Sequence, residues 1–305
     1  MAGGTDSLSR LFRQPKAGAR DRLIEKGLLV CASASIMIII TIFFFLIKEG
    51  APTLWEVPPR NFWGTVWQAQ SLEPKYGVLP LLTGSFLVTV GALLISLPLS
   101  IAFAVYLAEV ANPATKEVLK PMTELLTGVP SVVYGFIALT AVADITHRAL
   151  RTEFRLNALN AAIILAIMIT PTIASISEDA IRAIPQEYRR AGLALGATDW
   201  EVTSKVIVPA AAPGILVAVM LGVGRAFGET MAVLMASGNA PILTFNILSA
   251  VQAMTATIAI EMGEVPFGTV HYHALFAIGI LLFTITFVIN LIAELAMQRV
   301  RRFYR

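Results

Sequence analysis

Apolar positions along this chain run in long blocks, and polar residues gather in the gaps between them. A helix that crosses a bilayer needs about 20 mainly apolar residues. Blocks of that length predict spans at residues 27–47, 78–108, 122–143, 158–177, 211–236 and 274–297. The second carries Pro98 and the fourth Pro171, and an interior proline bends a helix. Residues 242–260 are semi-polar, which predicts a re-entrant or interfacial segment in place of a seventh span. The fold class expected is all-α, a polytopic membrane protein of about six transmembrane helices.

The blocks set the divisions of the chain. Residues 1–26 read as a polar tail, mobile over its first twenty positions, and 27–47 as the first span. Residues 48–77 form an outer segment. Residues 78–297 form the core, interrupted by a longer loop at 178–210, and 298–305 form a closing tail. The first block is too long for a signal-peptide core, and Lys48, Glu49 and Gly50 follow it where a small-residue cleavage site would stand. Cys31 opens that block and reads as a buried, unpaired thiol. In 48–77, Trp55, Trp63 and Trp67 suit a membrane interface. Pro58 and Pro59 argue against a long helix there.

Composition narrows the function classes. Of 305 residues, 56% are hydrophobic and 14% charged. Soluble domains carry about 25% charged residues. Disorder is excluded by the apolar content, and a disulfide scaffold by the single cysteine. A net charge of +3 makes no case for nucleic acid. Placement says more. Sixteen of the 23 basic residues fall in the two tails and the loops on their side, six on the other side, and Arg225 inside the fifth block. Basic residues mark the cytoplasmic face, so both termini are expected in the cytoplasm. Glu109 and Asp144, near block ends, read as solvated. Glu294 reads as pairing with a nearby arginine. His271 and His273 lie two apart in a loop without a third ligand and make no convincing metal site.

The 178–210 loop is strongly punctuated. Pro185 suits a first helical position, and the helix from Gln186 to about Leu195 should break at Gly196. Thr198 and Glu201 have capping-box spacing and start a second short helix, expected to end before Pro209. Tyr188, Ala191 and Leu195 form an apolar stripe; Arg182, Glu187, Arg189 and Arg190 supply charge. The loop is either an ordered cover for helix ends or a docking element for a soluble partner.

Arg225 demands a physical account, because an arginine at mid-span costs about 2.5–3.5 kcal/mol on insertion scales. On a helical wheel, Gly214, Ala218, Gly222, Arg225, Glu229 and Ala232 share one narrow face. Leu216, Met220, Val223, Phe227, Met231 and Leu234 lie opposite and suit lipid. Small residues permit close approach of another helix. Arg225 and Glu229, one turn apart, can pair in the weaker orientation, worth about 0.2–0.5 kcal/mol. Two readings stay open. One is a permanent packing salt bridge; in the other, Arg225 meets an anion in transit and Glu229 holds it otherwise. A guanidinium fork matches a phosphate oxyanion. Gly128, Pro130, Ser131, Tyr134 and Gly135 either break the third span beside a path or mark a plain loop-to-helix transition.

Ala191 to Ala197, followed by Val206-Ile207-Val208-Pro209, resembles the coupling loop of ABC-importer permeases. Gly196 and Pro209 fit that pattern. Arg190-Ala191-Gly192 stands where the family has Glu-Ala-Ala, and Glu187 lies one turn upstream. Gly222 to Val233 (GVGRAFGETMAV) and Thr127 to Gly135 (TGVPSVVYG) are similar to stretches of phosphate-importer permeases, more of the PstC type than the PstA type. The resemblance covers 78 to the C-terminus. It implies a MetI-like architecture, a PstA-type permease partner, two ATPase subunits at the 178–210 loop, and an extracytoplasmic phosphate-binding protein. It places the chain in a bacterial inner membrane, in contact with lipid. It puts Arg225, Glu229, Ser131 and Tyr134 along the substrate pathway, and Glu187, Arg190, Ala191, Gly192, Gly196 and Pro209 at the ATPase contact. The chain itself carries no G-x-x-x-x-G-K-[ST] phosphate loop and no nucleophile constellation. It is therefore expected to be non-catalytic, with no cofactor of its own, and ATP and magnesium used by the partner ATPases. A permease for another oxyanion, or a proton-coupled secondary transporter using Glu229, are the competing readings.

Overall fold

The computed structural model describes residues 19–303, and expectations for 1–18 and 304–305 lie outside the described residues. The chain divides into Met1–Lys48 and Glu49–Arg305. The first unit is essentially one helix, α1, which runs over Ala19–Gly50 and exceeds the predicted 27–47 at both ends. The Cys31 thiol is exposed, not buried as expected.

The second unit begins with two single-turn helices, α2 (Thr53–Glu56) and α3 (Pro59–Phe62), as the proline pair demands. A minimal hairpin follows: β1 (Trp67–Gln68) pairs antiparallel with β2 (Lys75–Tyr76), Trp67 opposite Tyr76. Trp55 and Trp63 are exposed, but Trp67 is buried, in a cluster with Tyr76, Leu81 and Leu275. Helix α4 (Leu79–Val105) runs unbroken through Pro98 and ends in a π turn, Tyr106–Val110.

The predicted third span is corrected. In its place, α5 (Pro113–Gly128) meets a second helical run that starts at Ser131, and the two are bent by 93°. The cause is local. Pro130 has no N–H to donate, and the residue before a proline is pushed out of the helical region. Val129 accordingly sits at φ −66°, ψ 128° and Pro130 at φ −58°, ψ 138°. The second run comprises α6 (Ser131–Ile137), a π turn (Ala138–Val142) and α7 (Ala143–Leu150). Among the described residues, five helices are long and apolar enough to cross a membrane, six if the bent pair counts as one.

Helix α8 (Ala158–Arg182) reaches five residues past the predicted end and forms the axis of the core. Its Ala161, Leu165, Met168, Ile169 and Ile173 are fully enclosed. Helices α9 (Gln186–Ala194) and α10 (Asp199–Val202) form the loop. The second loop helix was expected to stop before Pro209. Instead a π turn (Thr203–Ile207) carries it into α11 (Val208–Gly228). Pro209 lies in the first turn of α11, where a missing N–H costs nothing.

The predicted fifth span stops early. α11 ends at Gly228, Glu229 is extended at ψ 130°, and α12 (Met231–Ala236) starts afresh. Residues 242–260 form no span: an irregular stretch leads to the eight-residue α13 (Met254–Glu261). The last helix, α14 (Val270–Phe303), begins before the expected 274 and absorbs most of the supposed tail 298–305.

Close approach depends on glycines. A Cβ at Gly222 would stand 2.5 Å from Ile173 Cδ1, and one at Gly214 2.5 Å from Ala180 Cβ. The small face of α11 therefore lies against α8, as its wheel predicts. Phe227, expected toward lipid, is buried and meets Phe86 edge-on at 5.3 Å. The early end of the helix explains this, because α13 and its approach close over that last turn.

Gly84→Ala should be harmful, since its Cβ would lie 2.4 Å from the Gln252 carbonyl oxygen, which is backbone and cannot rotate away. Gly128 has open space around it. Overpacking costs about 1–3 kcal/mol. Thermal unfolding in detergent should show a lowered midpoint for Gly84→Ala and none for Gly128→Ala.

Candidate functional site

The fifth block brings its charges into the membrane on a helix that is about to end. Arg225 is half-buried, and its Nη1 donates to Thr172 Oγ1 on α8 at 2.9 Å. Gly222, one turn earlier, lets α11 lie close enough for that reach. The expected local pair with Glu229 does not form: among the described residues Arg225 has no ion-pair partner. The helical wheel fails at its last two members because the backbone leaves the helix after Gly228. Glu229 does other work. Its Oε1 accepts from the Ala232 N–H at 3.2 Å, at the start of α12. Its carbonyl accepts from Thr255 Oγ1 of α13 at 2.9 Å. Beside it, Ser85, Thr89, Phe227 and Thr255 line a cleft of 10 Å³ within this chain. That is room for about one water.

Tyr134 is buried on α6, and its hydroxyl donates across the bend to the Leu126 carbonyl at 2.8 Å. Gly135 brings α6 against α12, where a Cβ would stand 2.7 Å from Met235 Sδ. Ser131, half-buried, opens α6 at the bend. Arg225, Glu229 and Tyr134 thus converge where α6, α8, α11 and α12 meet.

The loop is a separate site. Glu187, Arg190, Ala191 and Gly196 are exposed, as are Tyr188, Leu195 and Trp200. Gly192 is the contact between α9 and α10: a Cβ there would meet Val202 Cγ2 at 2.7 Å. Gly196 takes φ +84°, a conformation that suits glycine, and breaks the helix as predicted. Thr198 Oγ1 accepts from the Glu201 N–H at 3.3 Å, and Glu201 Oε2 accepts from the Thr198 N–H at 3.1 Å, completing the capping box.

Glu109, expected in solvent, is instead gripped by Arg189. Nε donates to Oε2 at 3.1 Å, Nη2 bonds Oε1, and Nη1 donates to the Ile184 carbonyl at 3.1 Å. The hydrogen bond to Glu109 raises the Arg189 pKa above its ordinary value. Asp144 pairs with Arg155 at 2.6 Å, and Glu294 accepts from Gln298 at 3.1 Å; the arginines near Glu294, Arg299, Arg301 and Arg302, lie outside the residues whose side chains are described.

Sequence reasoning missed the inner-loop charges. Glu178 is buried at the end of α8, with Arg182 Nη1 at 3.0 Å and Lys120 Nζ at 3.0 Å. The available signal was an acidic pair, Glu178-Asp179, directly after an apolar block. Thr172 was also missed; it stands next to Pro171.

On the opposite end, His271 and His273 occupy the first turn of α14, not a loop. Glu261 Oε1 accepts from Trp67 Nε1 at 2.9 Å, and its Oε2 lies 2.6 Å from His271 Nε2. His273 Nδ1 meets Glu56 Oε2 at 2.8 Å. Burial, with the Glu56 charge adding, pushes the Tyr76 phenol up.

Comparison with known proteins bears on both sites. The family model for a binding-protein-dependent transport system inner membrane component matches residues 100–302. A probable ABC transporter permease protein of Bacillus subtilis (strain 168), YqgH, is 39% identical over 281 residues, covering 90% of this chain and 91% of that protein. The phosphate transport system permease protein PstC of Mesorhizobium japonicum is 33% identical over 245 residues, covering 74% and 75%. Among solved structures, a bacterial ABC transporter involved in the import of the acidic polysaccharide alginate has a chain of similar fold. Its TM-score is 0.58, with 17% identity and coverage of 91% of this chain and 98% of that one.

Arg189→Gln should release α9 from α4. Breaking a part-buried pair by at least about 1.4 kcal/mol raises the population of the open loop tenfold. Limited trypsin digestion at Arg190 should accelerate to that extent, and Glu109→Gln should match it.

Proposed function

This chain belongs to the family of binding-protein-dependent transport system inner membrane components, and on that footing we propose that it is the permease subunit of an ATP-driven importer of inorganic phosphate. The observation that carries this is Arg225. It lies part-buried in a spanning helix with one neutral hydrogen bond, to Thr172, and no ion-pair partner among the described residues. A guanidinium offers five donors. Here most of them are left for a transient anion. The relatives named as phosphate permeases support phosphate as that anion.

The mechanism follows from the convergence of α6, α8, α11 and α12. Arg225 attracts the anion electrostatically, and Thr172 holds the guanidinium when the path is empty. Glu229 repels a fully ionised anion from one side. It therefore limits how tightly Arg225 can hold its cargo, which must leave. Tyr134 fixes the bend that brings α6 to this point. Within this chain the space beside Glu229 holds about one water. The chain thus supplies one wall, and a second permease subunit of the PstA type supplies the other.

The 178–210 loop presents an exposed apolar stripe and the exposed charges Glu187 and Arg190 to two ATPase subunits, which bind ATP and magnesium. The permease itself is non-catalytic. An extracytoplasmic phosphate-binding protein delivers substrate to the face that carries the β1–β2 hairpin. Both termini lie in the cytoplasm of a bacterial cell, because the basic residues concentrate there.

Arg225→Gln, assembled normally, should lower labelled phosphate uptake by about tenfold or more, the worth of a charge-assisted hydrogen bond of 1.5–3 kcal/mol. Undiminished uptake would remove Arg225 from the pathway. Competition by molybdate or sulfate would reassign the cargo, and uptake without the ATPase would point to proton coupling through Glu229.

A further inference from the structure

The reading above leaves one buried charged cluster unused. Glu178 is 1% exposed, yet two cations reach it. Arg182 Nη1 donates to its Oε1 at 3.0 Å, and Lys120 Nζ stands 3.0 Å from its Oε2. The second approach is a charge contact without hydrogen-bond alignment, since Oε2 has no aligned donor. The aligned bond of Lys120 goes to Asp179 Oδ1 at 2.9 Å. One ammonium on α5 is therefore shared between two adjacent carboxylates on α8.

The position of this contact gives it significance. None of the residues of α5 is fully buried, so its side-chain links to α8 include the exposed and part-buried charges. Lys116 Nζ donates to the Ala108 carbonyl at 3.3 Å and holds the start of α5 to the π turn of α4. Lys120 holds its middle. Beyond Arg182, only Ala183, Ile184 and Pro185 separate α8 from α9. Any movement of α9 thus reaches Asp179 and Glu178 through a short link. At its far end α5 leads through the 93° bend to α6 and Tyr134.

We propose that Lys120 and Glu178 are positioning residues that pass movement of the 178–210 loop to the bent α5–α6 pair, and so to the wall beside Arg225. The proposal rests on reading that loop as the ATPase contact. Two acceptors side by side let the ammonium move from one to the other without losing its counter-charge. Such a contact has discrete arrangements, as a switching element requires. Arg182 keeps Glu178 paired in either arrangement. The Arg189–Glu109 pair is a second strap, to α4, so that α9 pulls on two helix ends together.

The test uses the complete complex in proteoliposomes, with ATP, the binding protein and inorganic phosphate. Phosphate carried per ATP hydrolysed is measured for the wild type, Lys120→Met, Glu178→Gln and the double variant. Both single variants should keep their full set of subunits and their ATP hydrolysis, while phosphate per ATP falls by about fivefold or more, the scale of a coupling free energy. The double variant should fall no further than the worse single variant, because both act through one contact. Lys120 is partly exposed, so Lys120→Met carries the test alone if Glu178→Gln does not assemble. Unchanged phosphate per ATP in Lys120→Met would overturn the proposal. So would a fall of uptake and hydrolysis in the same proportion, the mark of a merely structural contact. A wild-type complex that moves no phosphate on ATP would overturn the importer reading, and this proposal with it.

Discussion

The contact between α11 and α8 is the constraint on which the rest of the structure depends. Gly214, Ala218 and Gly222 strip one face of α11 of bulk, and α8 meets it with Ala180 and Ile173. In lipid there is little hydrophobic gain in joining two apolar helices, so close van der Waals packing must hold them. That closeness brings Thr172 within 2.9 Å of Arg225, which would otherwise face apolar surroundings with no partner. It also leaves room on the other side of α8 for α4, and at its end for the cluster around Glu178.

A second constraint shapes the places where helices stop. Backbone polar groups inside a membrane need partners, so irregular backbone survives only where protein covers it or water reaches it. The breaks at Val129-Pro130 and at Glu229-Thr230 follow this rule. Tyr134 satisfies the Leu126 carbonyl at the first, and Thr255 the Glu229 carbonyl at the second. The two breaks lie close together, joined by the tight packing of Gly135 on Met235. Side chains with chemistry collect there because the backbone has to be looked after there.

Charge placement divides the molecule by height. At one end, buried or part-buried ion pairs lock helix ends together: Arg189 with Glu109, and Lys120 and Arg182 with Glu178. At the other, Glu261 and Glu56 engage His271 and His273, and Trp67 shares Glu261. Between them, Arg225 stands without an acid among the described residues. A cation compensated in this way only by a hydroxyl favours anions in the path, whereas the paired ends favour rigidity.

Much of this was legible beforehand, for a physical reason. Span number, the small face of α11, the turn at Gly196 and the Thr198–Glu201 capping box depend on residues near each other in sequence, and local chemistry decides them. The Arg225–Glu229 pair was not, because a helical wheel presumes the helix continues, and α13 closing over Phe227 and Glu229 ends it. Glu109 looked solvated because its partner, Arg189, is 80 residues away. The sequence by itself determined a membrane-embedded helical chain with one arginine inside a span and a structured loop. Only the tertiary structure decided which charges were already spent, since pairing depends on distances between helices that no periodicity along one of them encodes.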